Sequence, residues 1–330
     1  MEFLDFILNI FSSGLPCCLL ALGIFLTYRL LDFADLTAEG SFLIGVSICG
    51  VMIFNGVNPW LATLVSVLGG AICGIITGVL NRLLNIPKLL SGIITMTATG
   101  SISMIIMGLQ SGNSDIFAAQ VSFTNLVTKG SPQQTIYSLF YPWEQVGDFY
   151  IVPNPWGDVI KIAVMLGVVI LAMLIIYFFF GTKYGMAIRA TGMNENMAKA
   201  QGINTTIATI VCIAISNALI ALAGALVVQE SKTASTISAT GYLVIGLASI
   251  IVGETIFGKR SFKNWLISVS LGSIIYFTIV NIATRLGLRT ELKSLLYAVL
   301  ITIALCLPLI KSGIKHLIDK IKSKKVKEAI

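Results

Sequence analysis

The sequence predicts an all-α polytopic membrane protein, and three observations carry that reading. First, 56% of the 330 residues are hydrophobic and only 11% are charged. A soluble domain carries about 25% charged residues, so the composition excludes a soluble globular enzyme, a disordered chain and a secreted disulfide scaffold. Second, the apolar residues gather in runs of the length, about 20 residues, that crosses a hydrocarbon core of about 30 Å. Third, positive charge is concentrated at one end. Residues 311–330 hold seven lysines against Asp319 and Glu328, while the whole chain has a net charge of +7. Directly after an apolar run, this basic tail reads as a cytoplasmic anchor rather than a nucleic-acid arm.

About nine spans (eight to ten) are expected, near 6–28, 36–54, 60–80, 89–109, 159–180, 206–228, 241–257, 264–283 and 294–310. The first has Glu2 and Asp5 ahead of it and no basic leader, so it reads as a retained helix rather than a cleaved signal peptide. Lysine and arginine in the connections set the orientation. With the tail inside, the connections at 81–88 (Arg82, Lys88), 181–205 (Lys183, Arg189, Lys199) and 258–263 (Lys259, Arg260, Lys263) also fall inside. The 110–158 segment falls outside, with Lys129 against Asp115, Glu144, Asp148 and Asp158. The N-terminus is therefore expected outside. One connection disagrees: 284–293, placed outside, holds Arg285, Arg289 and Lys293 against Glu291.

The second span begins DLTAEGSF, and only 41–54 is cleanly apolar. A run that short suggests a broken or re-entrant helix whose unwound backbone lines a protein cavity. Alternatively, Glu39 simply occupies the first helical turn, where a carboxylate meets the positive helix end. In the third span Gly70, Gly74 and Gly78 recur every four residues, a face that permits close helix packing where lipid supplies no hydrophobic drive. In the fourth, Ser91, Thr95, Thr99 and Ser103 recur at the same interval, with Thr97 and Ser101 nearby. These hydroxyls either line a solute path or bond back to their own helix. Asn217 in the sixth span needs a partner at membrane depth, a neighbouring helix or a solute. On polarity, the candidate solute path is Glu39, Ser41, Ser91, Thr95, Thr99 and Asn217.

Catalytic chemistry finds little footing. The six cysteines lie in apolar runs without a CxxC pair, and the only histidine, His316, sits in the tail. Neither a metal site nor a nucleophile–base pair can be assembled from them. Residues 253–260, GETIFGKR, come within one substitution of a phosphate-binding loop, but Arg260 replaces the Ser or Thr that would hold magnesium. The acceptor-like Asn204-Thr205-Thr206 lies on the inner side, where glycosylation does not apply.

The longest inner polar stretch, Tyr184 to Thr206, reads YGMAIRATGMNENMAKAQGINTT. A short polar helix is expected over about Met186–Ala200, with Asn194 as a cap and Gly202 as a stop. Such a helix suits docking into another protein's groove. The pattern G-M-A-I-R-A-x-G-x-N followed by A-x-x-x-G-I-N resembles the cytoplasmic loop of bacterial ABC-importer permeases, in the branch of the branched-chain amino-acid and ribose permeases. The resemblance continues through Ser216–Leu219, Ala221–Ala225, Gly241 and Ala248–Glu254, and covers about 15–310. LDFADLTAEGSF (Leu31 to Phe42) and IPKLLSGIITMTATGSI (Ile86 to Ile102) are similar to a subgroup linked with amino-acid uptake. Lys199 departs from the pattern, where a small residue is usual, as does the length of 110–158.

The resemblance implies a permease domain over 1–310, an extracytoplasmic segment at 110–158 and a coupling segment at 184–206. It implies one half of a permease homodimer in the bacterial inner membrane, moving a small solute, with an amino acid, aromatic in the narrower form, as substrate. Cytoplasmic ATP-binding subunits would hold ATP and magnesium, this chain binding no cofactor of its own, and an extracytoplasmic binding (lipo)protein would deliver solute. ATPase coupling falls by the motif to Arg189, Gly192, Asn194, Asn196 and Gly202. Two readings stay beside it: an ion-coupled secondary transporter, which usually keeps mid-membrane carboxylates or histidines, and a permease for a sugar or nucleoside. A membrane-embedded enzyme lacks its nucleophile–base pair.

Overall fold

The computed structural model describes residues 2–108, 120–122, 135–140, 144–146, 149–151, 156–236, 241–285, 299 and 302. Within them lie helices α1 (Glu2–Phe25), α2 (Thr37–Phe54), α3 (Pro59–Arg82), α4 (Lys88–Gly108), α5 (Ile136–Leu139), α6 (Trp156–Gly181), α7 (Lys183–Met193), α8 (Glu195–Ala200), α9 (Thr205–Ser231), α10 (Tyr242–Phe257) and α11 (Phe262–Arg285). A π turn, Leu26–Leu30, extends α1. Strands β1 (Gln120–Ser122) and β4 (Thr233–Ser235) pair antiparallel with Gln120 opposite Ser235, and β2 (Glu144–Val146) pairs with β3 (Phe149–Ile151).

Seven of these helices are long and apolar enough to cross a membrane, and α10 is a shorter apolar helix of 16 residues. They coincide with the first eight expected spans. The ninth, 294–310, and the basic tail fall outside the described residues. Apolar length predicts crossing because a helix satisfies all its own backbone hydrogen bonds in lipid.

Burial then sorts the helices into layers. The first span, Phe6–Leu30, has 89% of its apolar window buried and that of α2 has 72%, whereas α6 has 22%. At the centre α1, α2, α3 and α9 approach so closely that side chains are excluded. A Cβ on Gly45 would strike the Ala221 backbone, one on Gly74 would lie 2.6 Å from the Ile213 carbonyl, and one on Gly78 would lie 3.0 Å from Ile210 Cα. The glycine stripe of α3 therefore faces α9, with Gly70 against Asn217 and Ala221. Close backbone approach gains dispersion contact, the main drive for helix association in lipid. Ser216 locks the same layer by donating to the Gly23 carbonyl at 2.7 Å.

At one face of the bundle, the Arg285 guanidinium at the end of α11 lies 4.4 Å from the centroid of Phe6 near the start of α1. The two chain positions are therefore on the same face, and an even number of crossings separates them.

Candidate coupling and solute-path sites

The polar stretch forms two helices rather than one. Thr182 opens α7 by accepting from the Gly185 amide (3.3 Å), and Asn194 then leaves the helical region at φ −157°, ψ 104°. There its Oδ1 accepts from Met197 N at 3.0 Å and starts α8. Asn194 is thus a cap, as the sequence suggests, but of a second helix. Gly202 follows α8 at φ +80°, a left-handed backbone that favours glycine. Asn204 caps α9 through Ile207 N at 3.1 Å.

This unit is clamped to the ends of several spans. Gly192 packs on the Leu30 carbonyl at the end of the π turn, leaving no room for a Cβ. Gly185 lies against the Phe179 carbonyl in the same manner. The Arg189 guanidinium sits 5.0 Å over the Phe262 ring that opens α11. Glu195 binds Arg82, the last residue of α3, at 2.6 Å and Lys199 at 2.9 Å. The hydrogen bond from Arg82, then that from Lys199, draws its carboxyl from the ordinary 4.5 down to about 2. Sequence reasoning missed Glu195, although Glu195 and Lys199 stand four apart with the acid first, the favourable helical order. That pair also gives the unusual Lys199 a structural use. Asn196 is exposed. On the outer surface of the unit Tyr184 (79%), Met193 (89%) and Met197 (58%) are left bare.

The solute-path candidates lie elsewhere, and most are covered. Ser91, Thr95 and Thr99 occupy the buried face of α4, with Gly40 of α2 packed on Thr99. Ser91 and Thr99 donate to their own helix carbonyls at 2.8 Å, the local option open to any membrane hydroxyl. Thr95 belongs to a longer chain. Thr37 and Thr77 share a hydrogen bond of 2.7 Å, and Thr77 donates to Thr95 at 2.9 Å. The Thr37 amide donates to Asp35 at 2.9 Å, and Asn217 Nδ2 donates to the other Asp35 oxygen at 2.8 Å. One polar thread thus crosses α9, the 31–36 break, α2, α3 and α4, satisfying groups that would be costly alone at this depth.

Asp35, the first residue of the DLTAEGSF stretch, is a member of this thread that sequence reasoning did not place in the solute path. Lys88 closes the break from below by donating to the Asp32 carbonyl at 3.0 Å. Asn217 Oδ1 has no hydrogen-bond partner among the described residues. Ser41 is fully buried. Glu39 is in the first turn of α2 and reaches further, accepting from the Gly241 amide at 3.1 Å to cap α10. Tyr242 stacks on Phe42 at 4.1 Å beside it. The hydroxyl residues of α4 that do face outward are Thr97 and Ser101.

Seven helices apolar and long enough to cross a membrane, with a polar two-helix unit clamped to the ends of several of them, define a multi-pass membrane protein. Residues 6–305 match the family model described as branched-chain amino acid transport system / permease component, and the chain belongs to that family of ABC-system permeases. It is 33% identical over 324 residues to the "Tyrosine transport system permease protein" of Clostridioides difficile, covering 97% of this chain and 98% of that one. It is 30% identical to the "Probable branched-chain amino acid transport permease protein" of Methanocaldococcus jannaschii (78% and 77% covered). With the ribose import permease protein of Escherichia coli it shares 24% (79% and 80% covered).

Proposed function

We propose that the chain is the membrane subunit of an ATP-driven importer for an amino acid of the aromatic class, working as a homodimer. A separate ATP-binding subunit would dock on α7 and α8, and an extracytoplasmic binding protein would deliver the solute. The observation that carries the reading is the docking unit itself. Met193 and Met197 stand exposed on short helices too polar to sit in lipid, while the opposite side is fastened to the ends of α1, α3 and α11. Flexible, polarizable Met side chains suit a partner's groove. Lysine and arginine in this unit support an inner location, with the N-terminus outside. The full-length similarity to a tyrosine permease favours an aromatic amino acid over a sugar. The test is association with the purified cognate ATP-binding subunit: the double variant Met193→Glu/Met197→Glu should weaken it at least about tenfold, a loss of about 1.4 kcal/mol. Unchanged association would exclude this surface as the docking site.

A further inference from the structure

Glu254 stands in the GETIFGKR stretch, whose phosphate-loop look has no counterpart in a helix end, and its carboxylate is engaged twice. One oxygen takes Arg29 Nη2 at 2.6 Å and the other takes the Trp265 indole N–H at 2.8 Å, with the Glu254 side chain 10% exposed. Both partners are neighbours of places where α7 touches the bundle. Arg29 immediately precedes Leu30, whose carbonyl carries Gly192. Trp265 lies one turn after Phe262, whose ring carries Arg189. Phe25 binds these two together, edge-on to Trp265 at 4.8 Å and 6.5 Å from Phe262. The two contacts of α7 thus converge, by separate routes, on one side chain of α10.

The far end of α10 reaches the buried polar thread. Its first amide neighbourhood, Gly241, is held by Glu39, and Tyr242 is stacked on Phe42 of α2. Two residues before Glu39, Thr37 enters the bonds to Asp35, Thr77 and, through Asp35, Asn217. A 16-residue helix is a stiff element of about 24 Å, and Gly253 packs closely on the Ser268 carbonyl, holding α10 against α11 near its Glu254 end.

Resting on the reading that α7 and α8 receive the ATPase, the geometry points to Glu254 as a positioning residue. It hands displacement of α7 to α10, and through Glu39 to the break before α2. Stiff elements joined by discrete polar ties transmit such shifts because packed interfaces have alternative settings rather than continuous ones. The Arg29–Glu254 and Trp265–Glu254 bonds are two ties in parallel. Losing one slackens the transmission without dismantling the docking surface, which lies on the other side of α7.

The test uses the complete transporter in proteoliposomes, with its cognate ATP-binding subunit and binding protein, and reads ATP hydrolysed per tyrosine imported. Wild-type uptake driven by ATP comes first, since its absence would overturn the functional reading and not this inference alone. Glu254→Gln, which keeps the shape and removes the charge, should raise the ratio about fivefold. Trp265→Phe, which keeps an aromatic ring but removes the N–H donor, should raise it about twofold, by slackening the second tie. Both should retain the ATP-binding subunit at wild-type stoichiometry. Glu230→Gln is the control: it breaks the Lys161–Glu230 pair (2.9 Å) that joins α6 to α9, and should leave the ratio unchanged. A wild-type ratio in Glu254→Gln, or an equal rise in Glu230→Gln, would overturn the assignment. If Glu254→Gln fails to assemble, Trp265→Phe decides, and a wild-type ratio there overturns it too.

Discussion

Two helices of this bundle are about equally uncovered, yet chemically unlike. Buried residues make up 22% of the apolar window of α6 and 28% of that of α4. The span of α6, Val159–Gly181, contains no serine or threonine and presents Leu166, Ile170, Leu171, Leu174, Ile175 and Phe178 outward. Helix α4 carries six hydroxyl residues and presents Thr97 and Ser101 outward among Ile93, Ile94, Ile102 and Ile105. An uncovered face in a membrane protein meets lipid, a second copy or solute, and lipid asks for apolar atoms throughout. The face of α6 answers that demand except at Tyr177 in its last turns, and the face of α4 only in part. In the proposed homodimer α6 would accordingly face hydrocarbon, while α4 would face the second protomer.

The difference between the two faces is most vulnerable to substitution at the glycines. Gly74, in the α3–α9 contact, has no room for a side chain, whereas a Cβ on Gly100 of α4 or Gly167 of α6 meets nothing within 4 Å. Gly74→Leu should therefore destabilise the fold by about 3 kcal/mol or more, lowering its unfolding temperature in detergent and its yield of dispersed protein. Gly100→Leu and Gly167→Leu should both remain folded, since leucine favours helix over glycine. Only Gly100→Leu should then lose transport, by roughly tenfold at equal protein, about 1.4 kcal/mol at the rate-limiting step. Equal behaviour of the two open-site variants would erase the distinction between the faces.

Smaller effects are expected at the α7–α8 unit, where α8 is tied to the end of α3. Because the Glu195 carboxyl is lowered to about 2, its contribution is fully present above its ordinary 4.5 and disappears as pH falls toward about 2. Glu195→Gln should thus cost about 1 kcal/mol at pH 7, a modest figure because water screens the pair. The difference from wild type should shrink steadily in unfolding scans taken from pH 4.5 downward. A gap that widened on acidification would contradict the ion pair. Lys161→Met, which unties α6 from Glu230, should cost no more than about 1 kcal/mol in the same scans and leave uptake unchanged.

Much of the bundle was legible because hydropathy reads span length directly. What hydropathy cannot read is which spans are inside. The first span and α6 are both strongly apolar runs, yet one is the most enclosed of the seven spans and the other the least. Period-four spacing correctly put Ser91, Thr95 and Thr99 on one side of α4, but spacing does not say what that side meets. It meets α2 and α3, and nothing local in the sequence marks Thr37 or Thr77 as partners. The Arg82–Glu195 and Asp35–Asn217 bonds join residues more than one hundred positions apart, beyond any pattern of local spacing. Asn194 was visible as a cap, while its extended backbone, which divides α7 from α8, lies between the contacts of Gly192 and Glu195 with distant residues that no local pattern reveals.

Everything proposed for the inner face turns on whether ATP hydrolysis, on a partner docked at α7 and α8, powers this permease. The decisive measurement is accumulation of labelled tyrosine in proteoliposomes holding the assembled transporter, with the binding protein on the solute side, ATP on the other, and ionophores collapsing all ion gradients. The expected result is accumulation above the external concentration that requires ATP and vanishes in Met193→Glu/Met197→Glu. Accumulation that needed an ion gradient and ignored ATP would contradict it.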